Sequence, residues 1–412
     1  MAITRRRFLQ TSSITLAALG AGGLGSFNAF GASGKIDIAA LYDRSGGLDI
    51  YGKPILDALT LAVEEINVGG GLLGQEVNMI QYDTQSNMQQ YAQYAQQAAL
   101  KDKVSFVTGG ITSASREVIR PVLGRFKTLY WYGCNYEGGV CDRNYFASGV
   151  TPGQTVAKLV PHALEKWGKK IYILAADYNY GQIVSTWVKK FATENGGTTV
   201  GLDFFPLDAT NFTATISKIQ EAKPDMIFSA LVGGAHMSFY RQWAAAGMSG
   251  KIPIASTTFG NGNEHIVLSP EESNGILIAQ NYIQELQTPQ NLEFVGKFHK
   301  RFGSDYPYIS ELAMGNYQGL MLWAEAVRRA QSVDREKVIS ALEGGISLEL
   351  PSGLVTVDST THHCTLDIHL AEVKNKGLSV VQSFAQQPPS DTSSVCNLKT
   401  NPRDTKQYTV QG

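Results

Sequence analysis

The chain has 412 residues, with 35 basic and 36 acidic side chains and a formal charge of −1. It has no Lys/Arg run beyond Arg5–Arg7, which excludes the basic stripe that nucleic-acid binding requires. The length exceeds what a single hydrophobic core supports and predicts two domains of roughly 150–200 residues.

The N-terminus sets the compartment. Thr4, Arg5, Arg6, Arg7, Phe8 and Leu9 precede an Ala/Gly-rich apolar run from Ile14 to about Phe30, and the small residues Ala29, Gly31 and Ala32 follow. This order of basic, apolar and small-residue zones predicts an export signal over residues 1–34, of the twin-arginine type, with the general secretory route as the alternative. Removing it leaves 32 basic against 36 acidic residues, a formal charge of −4. No cysteine lies near the cleavage zone, so no lipid anchor is expected, and no later segment reaches the ~18 apolar residues of a membrane span. The mature chain is expected in the periplasm, without membrane insertion. Its four cysteines, Cys134, Cys141, Cys364 and Cys396, then favour disulfides. Cys134 with Cys141 is the economical local pair, leaving Cys364 with Cys396, although spacing alone does not fix connectivity.

Along the chain, "KIDIAALYD" predicts a strand. "PILDALTLAVEEIN" predicts a helix with Ile55, Leu59, Ala62, Val63 and Ile66 on one face, and "VGGGLLG" stops it. The alternation continues through "EVNMIQYD", "MQQYAQYAQQAALKDK", "VSFVTG", "SREVIRPVLGRFK" (interrupted at Pro121) and "TLYWYG". A second unit restarts at "QTVAKLVPHALEKWG" and runs to "KIPIAST"; helices and then terminal strands follow. Strands alternating with helices of this length predict parallel sheets covered on both faces. The expected boundaries are 35–149 with 281–353 for one lobe and 150–280 with 354–385 for the other. The chain would cross near Gly149–Gly153, Ala279–Tyr282 and Gly353–Val357. The polar tail, 386–412, is expected on the surface or partly disordered.

Ligands of open parallel sheets bind beyond the carboxyl ends of the strands. Six strand-following loops are therefore the candidates: "DRSGGLDIYG", "GGITSASRE", "YGCNYEGGVC", "ADYNYGQ", "VGGAHMS" and "TTFGNGNEH". None carries a phosphate-binding loop, a dinucleotide fingerprint, a nucleophile elbow or a zinc-protease motif. Gly109 and Gly110 place backbone N–H groups ahead of a helix that begins near Ser113, where Ser113 or Ser115 is a natural cap. His362 and Cys364 would share one face of a strand, with no further metal-ligand spacing. No metal and no cofactor are expected.

Read together, "EEINVGGGLLGQEV", "GGITSASREVIRPVL", "YWYGCNYEGGVCDRNYFASG", "AADYNYGQ", "LVGGAHMSFYRQ" and "NYIQELQTPQNLEFV" resemble, over residues 35–385, the type I periplasmic binding proteins of ABC transporters. This is the leucine/isoleucine/valine-type group, and the likeness is nearest to its urea- and short-chain-amide-binding branch. The resemblance implies two Rossmann-like lobes with parallel sheets joined by a three-strand hinge. It also implies a non-enzymatic receptor that passes a small solute from the interlobe cleft to an inner-membrane permease. It places Ser113 and Tyr178 as hydrogen-bonding partners of an amide, Tyr132 and Tyr180 as walls, and Cys134 at the pocket, with Tyr136 and Glu137 bracing the loop. Cys134 stands where the branch has a hydroxyl or small residue. Asn261 and Asn263 stand near positions where it has acids, which leaves room for another polar ligand, including an amino acid paired with Asp177, Glu137 or Glu264. A hydrolase on the same scaffold would need a nucleophile–base motif, and the sequence shows none.

Overall fold

The computed structural model describes residues 34–409. Residues 1–33, the greater part of the expected export signal, lie outside the described residues.

The chain begins with β1 (Lys35–Tyr42), α1 (Asp49–Val68), β2 (Glu76–Asp83), α2 (Met88–Leu100), β3 (Phe106–Gly109), α3 (Ser113–Arg125), β4 (Leu129–Tyr132) and β5 (Tyr145–Ala147). These strands form one sheet in the order β2-β1-β3-β4-β5, every pair parallel. Its central strands are buried on both faces, which is why "KIDIAALY" and "LYWY" read as near-continuous apolar runs instead of alternating ones.

A second unit follows: α4 (Val156–Trp167), β6 (Lys170–Ala176), α5 (Asn179–Glu194), β7 (Thr198–Phe205), α6 (Thr213–Ala222), β8 (Met226–Ala230), α7 (Gly234–Ala245), β9 (Ile254–Ser256), α8 (Glu264–Val267), α9 (Pro270–Ser273) and β10 (Leu277–Gln280). The chain then runs through α10 (Pro289–Phe302), α11 (Glu311–Ala330), α12 (Arg335–Glu343), β11 (Ser347–Leu350), β12 (Gly353–Val357), β13 (Cys364–Lys374), β14 (Gly377–Gln387) and α13 (Ser390–Ser393). The second sheet has the order β11-β12-β13-β10-β9-β8-β6-β7, with β14 also paired to β13. Its β10-β9-β8-β6-β7 portion is parallel, and β13 joins β10 antiparallel.

Helix α11 returns to the first sheet. It packs along α1, and Gly315 lies so close to the next layer that a Cβ there would sit 2.1 Å from the Gly133 carbonyl oxygen. A glycine is the only residue that admits that approach. Asn316, one residue on, accepts hydrogen bonds from the Tyr42 hydroxyl (2.5 Å) and the Thr108 hydroxyl (3.1 Å). The chain thus passes between the sheets after β5, after β10 and between α12 and β12.

Four expectations are corrected. Helix α3 runs unbroken through Pro121, because the buried faces of Ile119 and Leu123 hold the turns on either side of the missing N–H. His362 is not on a strand; it has φ 63° and β13 starts at Cys364. The disulfide joins Cys141 to Cys396, while Cys134 and Cys364 are free, buried thiols. Cys134 turns its sulfur toward the Gly110 carbonyl (3.6 Å) and Asn316 Nδ2 (3.9 Å), so it never faces Cys141. Finally, the tail is an ordered strap as far as Thr409. Its Asp391, Thr392, Cys396, Leu398 and Asp404 are buried against the body.

Candidate functional site

The carboxyl ends of both sheets meet around a cavity of about 30 Å3. Its walls are Tyr51, Ile111, Ser113, Asn135, Tyr178, Tyr180, Val232, Thr258, Asn261 and Leu312. Each of the six strand-following loops contributes, so the cavity lies where the topology of the sheets places it. Leu312 alone comes from elsewhere, at the start of α11; its signal lay in tertiary packing, not in any local pattern.

Four of the six residues expected at the pocket, Ser113, Tyr178, Tyr180 and Asn261, are brought together there. Tyr132 and Cys134 are not. Both are fully buried behind the wall; Tyr132 donates to the Ile111 carbonyl (2.9 Å), and burial pushes the Cys134 thiol up to about 12, leaving it protonated. Tyr51, Asn135 and Thr258 were within the suspected loops but had no individual signal.

Helix α3 supplies Ser113. Thr112, not a serine, caps it: its hydroxyl accepts from the Ser115 N–H, and Ser115 reciprocates. Ser113 is therefore the first helical residue, and its hydroxyl donates to Glu137 Oε2. Glu137 is buried and paired through Oε1 with Arg116 Nη2 at 2.8 Å. The Arg116 guanidinium is itself fully buried, 4.5 Å from the Tyr136 ring centroid and 5.4 Å from that of Tyr132. The loop acid thus braces the site, as expected, and fixes the direction of the Ser113 hydrogen. With that hydrogen committed, Ser113 Oγ presents lone pairs to the cavity.

Tyr178 and Tyr180 flank the start of α5 and stack at 6.0 Å between centroids, 28° apart. The Tyr180 hydroxyl pairs with Thr257 Oγ1 (3.2 Å), and Asn135 Nδ2 donates to the Thr257 carbonyl (3.2 Å). The Tyr178 hydroxyl has no protein partner among the described residues, which leaves it free to donate. Tyr51, on α1, accepts from the Gly233 N–H at 3.0 Å and so joins a loop of the first sheet to one of the second.

Two buried acids stand near the cavity without lining it. Glu264 Oε2 accepts from the Gly260 and Gly262 N–H groups (2.7 and 3.1 Å), and Glu311 Oε1 from the Asn281 N–H (2.7 Å). Their other oxygens have no partner. Burial raises Glu264 to about 7 and Glu311 to about 8. Among the described residues no cluster of His, Cys, Asp and Glu is arranged to hold a metal ion, and no helix is long and apolar enough to cross a membrane.

Residues 35–378 match the family model described as "Periplasmic binding protein". The chain belongs to this family. The Leu/Ile/Val-binding protein homolog 6 of Brucella melitensis is 22% identical over 284 residues, covering 68% of this chain and 72% of that protein. The leucine-, isoleucine-, valine-, threonine-, and alanine-binding protein of Pseudomonas aeruginosa is 26% identical over 360 residues, 85% and 92% of the two chains. Among solved structures, the solute-binding protein of an ABC transporter from Rhodopseudomonas palustris BisB5, in complex with 3,4-dihydroxybenzoic acid, superposes with a TM-score of 0.78 at 21% identity, covering 87% of this chain and 99% of that one. A leucine-binding protein from Thermotoga maritima gives 0.76 at 22%, covering 85% and 99%. At these identities the likeness is one of fold: the two-lobed, parallel-sheet architecture of the type I periplasmic binding proteins.

Proposed function

We propose that this periplasmic binding protein is the receptor of an ABC importer for a small, neutral, N–H-rich solute, urea or a short-chain amide, which it delivers to the inner-membrane permease. One observation carries the reading: none of the ten residues lining the cavity bears a charge, and the space is small. A zwitterion or a carboxylate transferred to such a cavity would lose its hydration without gaining a counter-ion, at a cost of several kcal/mol. A planar amide needs only donors, acceptors and flat walls. Ser113 Oγ supplies an acceptor, the Tyr178 hydroxyl a donor, and the two tyrosine rings the walls.

We take the lobes as 35–149 with 281–353 and 150–280 with 354–385, and we take the mature protein to reach the periplasm by the twin-arginine route. Ligand sits between the lobes, so binding and closure are coupled, and the closed form is what the permease recognises. Hydrolysis is disfavoured by the same geometry. The carboxylate beside Ser113 is already held by Arg116 and is not available as a general base.

The second reading is an amino-acid receptor, and the unpartnered oxygens of Glu264 and Glu311 favour it. These acids could ionise to meet an ammonium group if the cleft reorganised. A thermal-shift screen over urea, formamide, acetamide, propionamide, leucine, alanine and benzoate decides, because a ligand that binds only the folded state raises the midpoint. A response to leucine or benzoate and none to the amides overturns the proposal.

A further inference from the structure

We propose that Glu137 is a latch holding the two lobes closed, and that Gln407 of the C-terminal strap is a positioning residue that sets ligand affinity from outside the cavity. This rests on the closing-receptor reading above.

Glu137 is gripped from three directions. From its own lobe, Arg116 and Ser113 donate to its carboxylate. From helix α5 of the second lobe, Trp187 Nε1 donates to its backbone carbonyl at 3.2 Å, and Asn179 Nδ2 lies 3.5 Å from Oε1. From the strap, Gln407 Nε2 donates to Oε1 and, at 3.3 Å, to the Gly138 carbonyl. The loop after β4 and helix α5 belong to different sheets, so the Trp187 bond exists only when the lobes meet.

The strap is built to hold this loop. Val140 and Gln407 form an antiparallel bridge, the Tyr408 N–H donates to Gly139 O (2.8 Å), the Cys141 N–H to Lys406 O (2.8 Å), and Cys396 is bonded to Cys141. Gly138 and Gly139 have φ 81° and 82°, and a Cβ on Gly139 would lie 1.9 Å from the Tyr408 carbonyl oxygen. The paired glycines of "YEGG" therefore serve the strap and not the ligand. A bond made only in the closed state adds to the closed population, and the apparent affinity of a ligand that requires closure follows that population. Gln407 acts one step back: without its donor Glu137 Oε1 keeps Arg116 but loses one of the bonds that fix the plane of the carboxylate, so the Ser113 hydrogen is held less firmly.

The test is calorimetric titration of the mature chain with acetamide, beside Trp187→Phe and Gln407→Leu. Neither Trp187 nor Gln407 lines the cavity, and nor does Glu137. Each variant should raise Kd about three- to tenfold, the usual range for one hydrogen bond, with a ligand-free melting midpoint within a few degrees of wild type. Small-angle scattering should show Trp187→Phe closing only at a correspondingly higher acetamide concentration. Should Gln407→Leu fail to fold, Gln407→Glu, which sets a like charge beside Glu137, should weaken binding at least as much. Wild-type Kd values in both Trp187→Phe and a folded Gln407 variant overturn the latch, and so does a loss that merely tracks a fall in midpoint. The same titrations are run with leucine and benzoate. If wild type binds one of these and not acetamide, the amide reading fails, and the latch is judged on the same Kd ratio with that probe.

Discussion

The sulfur of Cys141 is bonded to that of Cys396, 255 residues away in sequence, while Cys134, seven residues from Cys141, keeps a buried thiol. The bond closes a loop of about two-thirds of the described chain. Cross-links over long loops remove the most entropy from the unfolded state, so Cys396→Ser should cost about 2–5 kcal/mol. Mass spectrometry of a non-reduced digest should recover one disulfide-linked peptide pair containing Cys141 and Cys396. Cys134 and Cys364 should become alkylatable only after denaturation. A Cys134–Cys141 peptide would refute the arrangement.

At the cavity, Tyr178→Phe removes a hydroxyl and keeps the ring. It should weaken binding of the preferred amide by about 1–3 kcal/mol in a calorimetric titration. Ser113→Ala should cost a similar amount through loss of the acceptor. Tyr132→Phe serves as the contrast: its hydroxyl bonds Ile111 and does not line the cavity, so it should lower the melting midpoint more than it alters affinity.

Stability should peak near pH 6. Glu264 and Glu311 are raised by burial to about 7 and about 8, so the unfolded chain releases their protons first as pH rises. Their contribution is complete below the ordinary carboxylate range and is lost as pH climbs through 7 and 8. His236, His265 and His363 are lowered by burial to about 3, 4 and 4. Their contribution is present above the ordinary imidazole value and is lost as pH falls toward 4. Glu311→Gln should flatten the alkaline limb: its midpoint should exceed that of wild type by more at pH 9 than at pH 5.5. Parallel midpoints across that range would remove Glu311 as the cause.

Export supplies a prediction outside the described residues. Arg5→Lys with Arg6→Lys should leave precursor in the cytoplasm if the route is twin-arginine. Fractionation showing an undiminished periplasmic yield would assign the general secretory route.

The alternation of short apolar runs with helical periodicity determined the fold class without help. A buried parallel strand such as "KIYILAA" cannot hide its composition, and glycine-punctuated loops mark where each strand ends. The loops that build the cavity were legible for the same reason, since chain topology places every strand-following loop at one end of its sheet. Sequence could not say which side chains of those loops face inward. Tyr132 and Tyr178 look alike in their motifs, yet β4 turns Tyr132 toward the Ile111 carbonyl while the start of α5 leaves the Tyr178 hydroxyl open. Nor could local spacing pair the cysteines. That depended on a polar tail whose composition reads as disordered, but which gains order from a partner surface far away in sequence. The strap's hydrogen bonds to Gly139 and Cys141, and the two glycines that admit it, exist only once the first sheet has folded. Tertiary contact decided these features because each depends on two segments meeting, and neither segment carries the other's address.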